Sequence, residues 1–179
     1  RMYDLAGTNQ IAVGEVLVNV GQLLYAAGHS EQGRAAFAAV LATVPPARIG
    51  LHALGGFALT SSVLGDAESV AWTFAELETE VARVNSPLAG ASAYCECAAA
   101  LLAVGDIALA KMARARAIEI ATSHGFKALL AKAVAIEVDV RPALPIPCVL
   151  TPKASVVARR IGSLQPSRRP DRVSFIAAA

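Results

Sequence analysis

Apolar positions recur at helical spacing from the start of the chain. Between Ile11 and Ala27, apolar side chains return every three or four residues with polar residues between them, which is typical of an amphipathic helix. The pattern stops at Gly28, and glycine just past the last apolar position ends a helix without steric cost. Ser30 is expected to cap a second helix that runs from Glu31 to about Val44, because Pro45-Pro46 cannot continue it. This part of the chain therefore predicts a hairpin of two helices.

The same pattern recurs twice further along the chain. The predicted helices are 51–64 and 67–84 around Gly65, 89–104 and 107–123 around Gly105, and a final helix over 126–138, with Asp66 and Asp106 as N-caps. The turn glycines are 37 and 40 residues apart. A repeated helix pair of this length cannot bury its apolar side alone and must stack on a neighbour. We therefore predict an all-α fold, an α-solenoid of about three antiparallel helix pairs plus a final helix.

The pattern changes after residue 140. The stretch RPALPIPCVLTPK contains four prolines, each of which disfavours helix in the residue before it. The chain is therefore expected to divide into a helical-repeat domain, residues 1–140, and an extended or partly disordered proline-rich tail, residues 141–179.

Composition agrees with closely packed helices in a reducing compartment. Alanine supplies 39 of the 179 residues and aromatics only 5%, which favours helices packed through small side chains over sheets. No run of 18 or more apolar residues is free of polar ones, so a membrane-spanning helix is not expected. Three cysteines, two of them in one helix, do not suggest a disulfide framework. We expect a cytoplasmic location, and a first residue of Arg1 suggests a processed form or a piece of a longer chain.

Charge is distributed unevenly between the two parts. Residues 1–140 hold 9 Lys and Arg against 13 Asp and Glu, a net charge of −4, whereas residues 141–179 hold 7 against 1, a net charge of +6. One interpretation is a basic arm for an acidic partner, nucleic acid or a membrane surface. The alternative is a loosely docked terminus that folds back on its own domain. The arginines concerned are Arg159, Arg160, Arg168, Arg169 and Arg172.

The helix pairs resemble a known family. The residues that carry the resemblance are Gly21, Leu24, Gly28, Phe37 and Pro45 in the first pair, Gly65 and Phe74 in the second, and Gly105, Ala110 and Ala117 in the third. Their spacing resembles the tetratricopeptide repeat, and the third pair is similar to the looser repeats in the helical regions of large bacterial transcriptional regulators. The resemblance covers roughly residues 11–139.

This resemblance implies a binding scaffold in which the first helix of each pair lines a concave groove. The polar residues at groove positions are Glu15, Asn19, Gln22 and Tyr25 in the first pair, His52 and Ser62 in the second, and Ser92, Cys95 and Glu96 in the third. Alternatively, these residues form the solvent-facing side that every surface helix has. The matching positions of the three first helices carry no lysine or arginine, which disfavours a clamp for a peptide's terminal carboxylate. Trp72, Lys127 and Lys132 are further interface candidates.

Other chemistry has little support in the sequence. His29, His52 and His124 are scattered, and none lies four residues from another histidine or a cysteine, as a helical zinc site requires. Neither a glycine-rich phosphate loop after a strand nor a nucleophile elbow occurs. We therefore expect no catalytic residues, no metal and no cofactor.

Two functions remain open from the sequence. The first is a non-enzymatic scaffold that binds a peptide or partner domain, as part of a larger bacterial regulatory or assembly protein. The alternative is a structural subunit of a stable multiprotein complex, membrane-associated complexes included, with the tail threading along a neighbour. Both involve a protein or peptide partner, and both are compatible with a homo- or hetero-oligomer.

Overall fold

The fold is all-α. A computed structural model of the chain describes residues 2–43, 45 and 47–137, with side chains placed from residue 11 onward. These residues form seven helices and no strand. The helices are α1 (Met2–Ala26), α2 (Ser30–Leu41), α3 (Ala47–Val63), α4 (Ala67–Arg83), α5 (Pro87–Val104), α6 (Ile107–Ser123) and α7 (Lys127–Val134). The predicted tail and its arginines Arg159, Arg160, Arg168, Arg169 and Arg172 lie outside the described residues.

Glycines end the first helix of each pair, as the sequence predicts. Gly28, Gly65 and Gly105 have φ angles of 79°, 72° and 86°, a left-handed conformation that costs glycine little. At the first turn the amide of Gly28 donates to the Tyr25 carbonyl at 2.9 Å, and the amide of His29 donates to the Leu24 carbonyl at 2.8 Å. This pair of bonds closes the end of α1 and turns the chain sharply into α2.

Two of the three predicted N-caps are confirmed. The Asp66 carboxylate accepts from the Ser69 amide at 3.1 Å, and Asp106 accepts from the Leu109 amide at 3.0 Å. The predicted Ser30 cap is wrong by one residue. The His29 carbonyl accepts the first bond of α2, from the Gly33 amide, so His29 is the N-cap and Ser30 is the first helical residue.

Several helix boundaries differ from the prediction. Three helices begin earlier than expected: α1 at Met2, α3 at Ala47 and α5 at Pro87. Apolar periodicity set the predicted starts, and it did not reach the first residues of these helices. Pro87 occupies the first turn of α5, where the missing amide proton costs no hydrogen bond.

The helices pack both within pairs and between pairs. α1 packs on α2, α3 on α4 and α5 on α6, while the first helices also touch in sequence, α1 with α3, α3 with α5 and α5 with α7. This pattern is compatible with a helical-repeat fold. α5 is long and apolar enough to span a bilayer, with a mean hydropathy of 1.4, but 61% of it is buried inside the domain, as expected of a core helix.

One aromatic ring joins the first three helices. Phe37 of α2 is 1% exposed and lies between Gly21 of α1 and Gly56 of α3. A Cβ atom built on Gly21 would lie 2.8 Å from the ring, and one built on Gly56 would overlap it more deeply. Both glycines therefore let the helix backbones approach the ring closely.

Candidate binding surface

The partly exposed positions of the first helices recur at intervals of three, four and seven residues, so they share one side of each helix. We call their combined area the first-helix surface. It consists of Glu15, Asn19, Gln22 and Tyr25 on α1, Arg48, His52 and Leu59 on α3, and Ser92, Glu96 and Ala99 on α5, and the buried Gly55 lies on the same side of α3. Seven of the nine predicted groove residues belong to it, namely Glu15, Asn19, Gln22, Tyr25, His52, Ser92 and Glu96.

A cleft of ≈ 230 Å³ opens in this surface between α1 and α3. It is lined by Glu15, Val18, Asn19, Arg48, Ile49 and His52. Arg48 Nη2 donates to Glu15 Oε1 at 2.5 Å across the two helices. The cleft thus combines an apolar lining with an ion pair, an amide and an imidazole, a mixture typical of small binding sites.

The surroundings of His52 favour its neutral form. Burial lowers the pKa of its imidazole, and the positive charge of Arg48 lowers it further. A neutral imidazole has one nitrogen that donates and one that accepts. His52 can therefore satisfy either a donor or an acceptor of a bound group at neutral pH.

Glu96 extends from α5 across α3. A Cβ atom on Gly55 would overlap the Glu96 carboxylate, so the carboxylate occupies the space that a side chain at that position would fill. Ser92 Oγ donates to Glu96 Oε1 at 3.5 Å, a long hydrogen bond. Burial raises the pKa of Glu96, and the charge of Lys132 and the Ser92 hydrogen bond oppose this rise.

Tyr25 lies within electrostatic range of Glu96. Burial raises the pKa of its phenol, and the Glu96 carboxylate raises it further. The Glu96 carboxylate therefore packs against the middle of α3 and acts through its charge on the end of α1.

Two predicted groove residues lie below this surface. Ser62 is buried, and its hydroxyl donates to the Leu59 carbonyl of its own helix at 2.8 Å. Cys95 is 1% exposed, and burial raises the pKa of its thiol. Neither side chain is available to a ligand at the surface in this conformation.

The further interface candidates lie elsewhere. Trp72 is partly buried and contacts the edge of Phe57, with ring centroids 5.9 Å apart and an interplanar angle of 82°, so it packs α4 on α3. Lys127 and Lys132 are exposed on α7. Of these three, Lys132 is near the first-helix surface, since its charge acts on Glu96 and Cys95.

The sequence analysis missed Arg48, Leu59 and Ala99 of this surface and Gly55 beneath it. Arg48 lies one turn before His52, in the first turn of α3, which the predicted start at Leu51 excluded. The first-helix surface thus does contain an arginine, although that arginine is paired with Glu15. Gly55 carries no side chain by which a sequence pattern could identify it. Its role depends on how closely α5 approaches α3.

Metal-binding residues are not grouped in the described part of the chain. Among residues 2–43, 45 and 47–137, no three His, Cys, Asp or Glu side chains are placed to hold one ion. His29 is the N-cap of α2, and His124 stacks on Phe126 at the turn after α6, with ring centroids 5.5 Å apart.

Comparisons of the chain with protein-family models, with curated proteins and with solved structures found no match. What the first-helix surface binds is therefore inferred from its own side chains.

Proposed function

We propose that the chain is a non-enzymatic scaffold, an α-solenoid of the tetratricopeptide type that binds an extended peptide or a partner domain along the first-helix surface. The successive contacts of α1, α3, α5 and α7 support a stack in which the first helices share one side. A setting in a larger bacterial regulatory or assembly protein follows from the resemblance of the third helix pair.

One observation carries this proposal: polar side chains from α1 and α3 meet around a cleft, and the polar surface continues onto α5. Polar side chains that only face water would not have to line a cleft between two helices. Here Asn19 and His52 offer donors and acceptors beside apolar lining from Val18 and Ile49. An extended peptide presents alternating amide donors and carbonyl acceptors, together with side chains that fill such clefts.

The proposal is tested by selecting ligands and mapping where they bind. A displayed library of random peptides is selected on the full-length chain, and the tightest peptide is titrated into isotopically labelled protein. We expect the amide resonances of α1, α3 and α5 that move to belong to the first-helix surface.

Matched variants define the site. Asn19→Ala and His52→Ala should each weaken the selected peptide by about tenfold, the loss expected from one or two hydrogen bonds. Lys111→Ala, an exposed change on the second helix of its pair, should leave affinity unchanged. Selected peptides that shift only α2, α4 and α6, or that bind both surface variants normally, would contradict the proposal.

A second function, a structural subunit of a stable complex, is favoured by one apolar area. Val13, Val16 and Leu23 of α1 are 54%, 59% and 70% exposed, and they lie on one side of the helix. An apolar side of this kind at the first helix of a stack is where a neighbouring subunit would pack.

This second function predicts association through α1. Val16→Lys combined with Leu23→Lys should convert an oligomer to a monomer when molar mass is measured by light scattering after size exclusion. A full-length chain that is monomeric at every concentration would leave this function without support from self-association.

A further inference from the structure

Helix α1 carries an apolar seam in heptad register. Val13, Val16, Val20 and Leu23 follow one another at steps of three, four and three residues, the a and d spacing of a coiled coil. Val13, Val16 and Leu23 are 54%, 59% and 70% exposed, and Val20 is partly exposed. Single apolar side chains are ordinary on a protein surface, whereas a contiguous row of them indicates a contact. We call these four residues the α1 seam.

The rest of the domain packs against another side of α1. A Cβ atom built on Gly14 would lie 3.3 Å from Ile49 of α3, and one built on Gly21 would lie 2.8 Å from Phe37 of α2. Val18 is 6% exposed. These three α1 positions are b and f positions of the same heptads, so the contacts within the domain leave the seam open.

Helix lengths also leave much of α1 without a neighbour in its own pair. α1 has 25 residues and is about 37 Å long, whereas α2 has 12 residues and is about 18 Å long. Running back from the turn at Gly28, α2 reaches about as far as Glu15. Val13 and Val16 therefore lie close to or beyond the end of α2, where a second helix alongside α1 would cover them.

We propose that the α1 seam is a dimer interface, in which the α1 helices of two copies of this chain pair as a short two-stranded coiled coil. This inference rests on the structural-subunit function and names the neighbouring subunit as a second copy. β-branched Val13 and Val20 occupy a positions and Leu23 a d position, a combination that favours two strands. A two-fold contact of this kind uses the same surface on both copies.

The residues beside the seam favour an identical partner. In a coiled coil the e and g positions select the partner helix through their charges. Here those positions carry no charge, so a second copy of the same helix meets no like-charge repulsion. They are Ala12, Leu17, Asn19, Leu24 and Ala26.

Charge disfavours two other occupants of the seam. Residues 2–26 contain no lysine or arginine, whereas a helix that lies on an anionic membrane carries them beside its apolar side. The chain's own basic residues 156–173 would meet no carboxylate in the seam or at its e and g positions. Neither occupant gains the electrostatic attraction that its own charge pattern requires.

The size of the seam indicates a weak dimer. Standard interfaces bury about 800 Å² on each partner, and smaller ones belong to weak complexes. The seam is about 15 Å long and a helix is about 10–12 Å wide, so the contact is at the small end of this range. We expect the dimer to be half dissociated at roughly 1–100 µM.

Sedimentation equilibrium of the full-length chain from about 1 to 300 µM covers this range. The molar mass should rise from 18.4 kDa to twice that value and no further, because a two-fold contact closes on itself. Val16→Lys combined with Leu23→Lys should weaken the association by about tenfold or more. Leu88→Lys combined with Met112→Lys adds the same charge at side chains that are 58% and 54% exposed, and should leave the association unchanged. Thermal unfolding followed by circular dichroism confirms that each variant is folded.

Cross-linking then identifies the helices in contact. Val13→Cys and Leu23→Cys are made singly in a Cys148→Ser background and treated with a short bis-maleimide, separately and as a mixture. Parallel helices place identical residues together, so each variant should link with itself. Antiparallel helices place Val13 of one copy opposite Leu23 of the other, so only the mixture should link. Either pattern supports the seam, and Met112→Cys should not link.

Four results would overturn the inference. They are a chain that is monomeric over the whole concentration range, a dimer that tolerates both lysines in the seam, a dimer without any cysteine link, and equal loss of association in the Leu88 and Met112 control. A dimer that tolerates the lysines would leave the structural-subunit function standing through another surface.

The peptide-binding scaffold is tested independently of the dimer. The cleft is lined from α1 by Glu15, Val18 and Asn19 and not by the seam. The variant with lysines at positions 16 and 23 should therefore bind the library-selected peptide as the wild type does. Failure of the dimer with normal peptide binding removes only this inference, and failure of peptide binding with an intact dimer removes only the scaffold.

Discussion

The packing of Phe37 gives the sharpest prediction about the fold. We compare Gly56→Ala with Gly50→Ala, two substitutions in α3 at buried glycines. In a helix interior, alanine is favoured over glycine by about 0.5–1 kcal/mol. At Gly50 the new Cβ atom would lie 3.4 Å from Pro45 Cγ, an ordinary contact, so that preference should appear as a stabilisation.

At Gly56 the same Cβ atom would overlap the Phe37 ring. The ring cannot withdraw, because Gly21 of α1 closes its other side at 2.8 Å from a Cβ position there. Overpacking of a buried site costs about 1–3 kcal/mol, and a clamped ring places this site at the upper end. After the gain in helix propensity, we expect Gly56→Ala to lower the free energy of unfolding by about 2 kcal/mol.

The assay is urea unfolding followed by far-ultraviolet circular dichroism. We expect Gly56→Ala to lower the midpoint with an unchanged slope, and Gly50→Ala to raise it slightly. Phe37→Leu in the Gly56→Ala background should recover part of the loss, giving a favourable coupling in a double-mutant cycle. If Gly56→Ala proved as stable as Gly50→Ala, the ring would not be clamped between the two glycines as described.

Three further predictions concern the N-cap of α6, the two buried thiols and the Glu96 carboxylate. Asp106→Ala should lower the free energy of unfolding by about 1 kcal/mol through loss of the α6 N-cap, measured by the same urea titration; an unchanged midpoint would contradict it. In a variant with Cys148 changed to serine, Cys95 and Cys97 should react slowly with a thiol reagent at about pH 8 until the chain is unfolded, because burial raises the pKa of both thiols. Fast labelling of the folded chain would contradict the packing of these two side chains. Glu96→Gln should raise the melting temperature near neutral pH but not below about pH 4. The pKa of Glu96 is higher in the folded than in the unfolded chain, so the wild type loses stability as the pH rises through the folded-state pKa, and glutamine does not. An equal shift of the melting temperature at both pH values would argue against desolvation of the carboxyl group.

Features that depend on a few adjacent residues were predictable from the sequence. Gly65 and Gly105 end helices because of their own backbone freedom, and Asp66 and Asp106 cap the next helices with their own side chains. The all-α class follows from these signals and is confirmed for the described residues. The stacking of the pairs into a solenoid depends on contacts between distant segments and stays a proposal.

Helix starts were less predictable, and one of them changed the chemistry of the surface. Periodicity placed the start of α3 at Leu51, whereas the helix begins at Ala47. The added turn brings Arg48 onto the same side as His52, where it pairs with Glu15 and lowers the pKa of the imidazole. The ion pair at the cleft joins residues 33 positions apart, so no local pattern could reveal it.

The surroundings of Glu96 show why a groove position alone does not reveal the environment of a side chain. Helical spacing places Ser92 and Glu96 on one side of α5, and a carboxylate there would ordinarily extend into water. It is instead desolvated because α3 offers Gly55 at the point of closest approach, a residue whose contribution is the absence of a side chain. In this chain the informative feature is therefore a pair, Gly55 on α3 level with Glu96 on α5. Gly55→Ala tests this argument, since the new Cβ atom should displace the Glu96 carboxylate towards water and lower its pKa, measured by nuclear magnetic resonance titration of the labelled side chain; an unchanged pKa would contradict it.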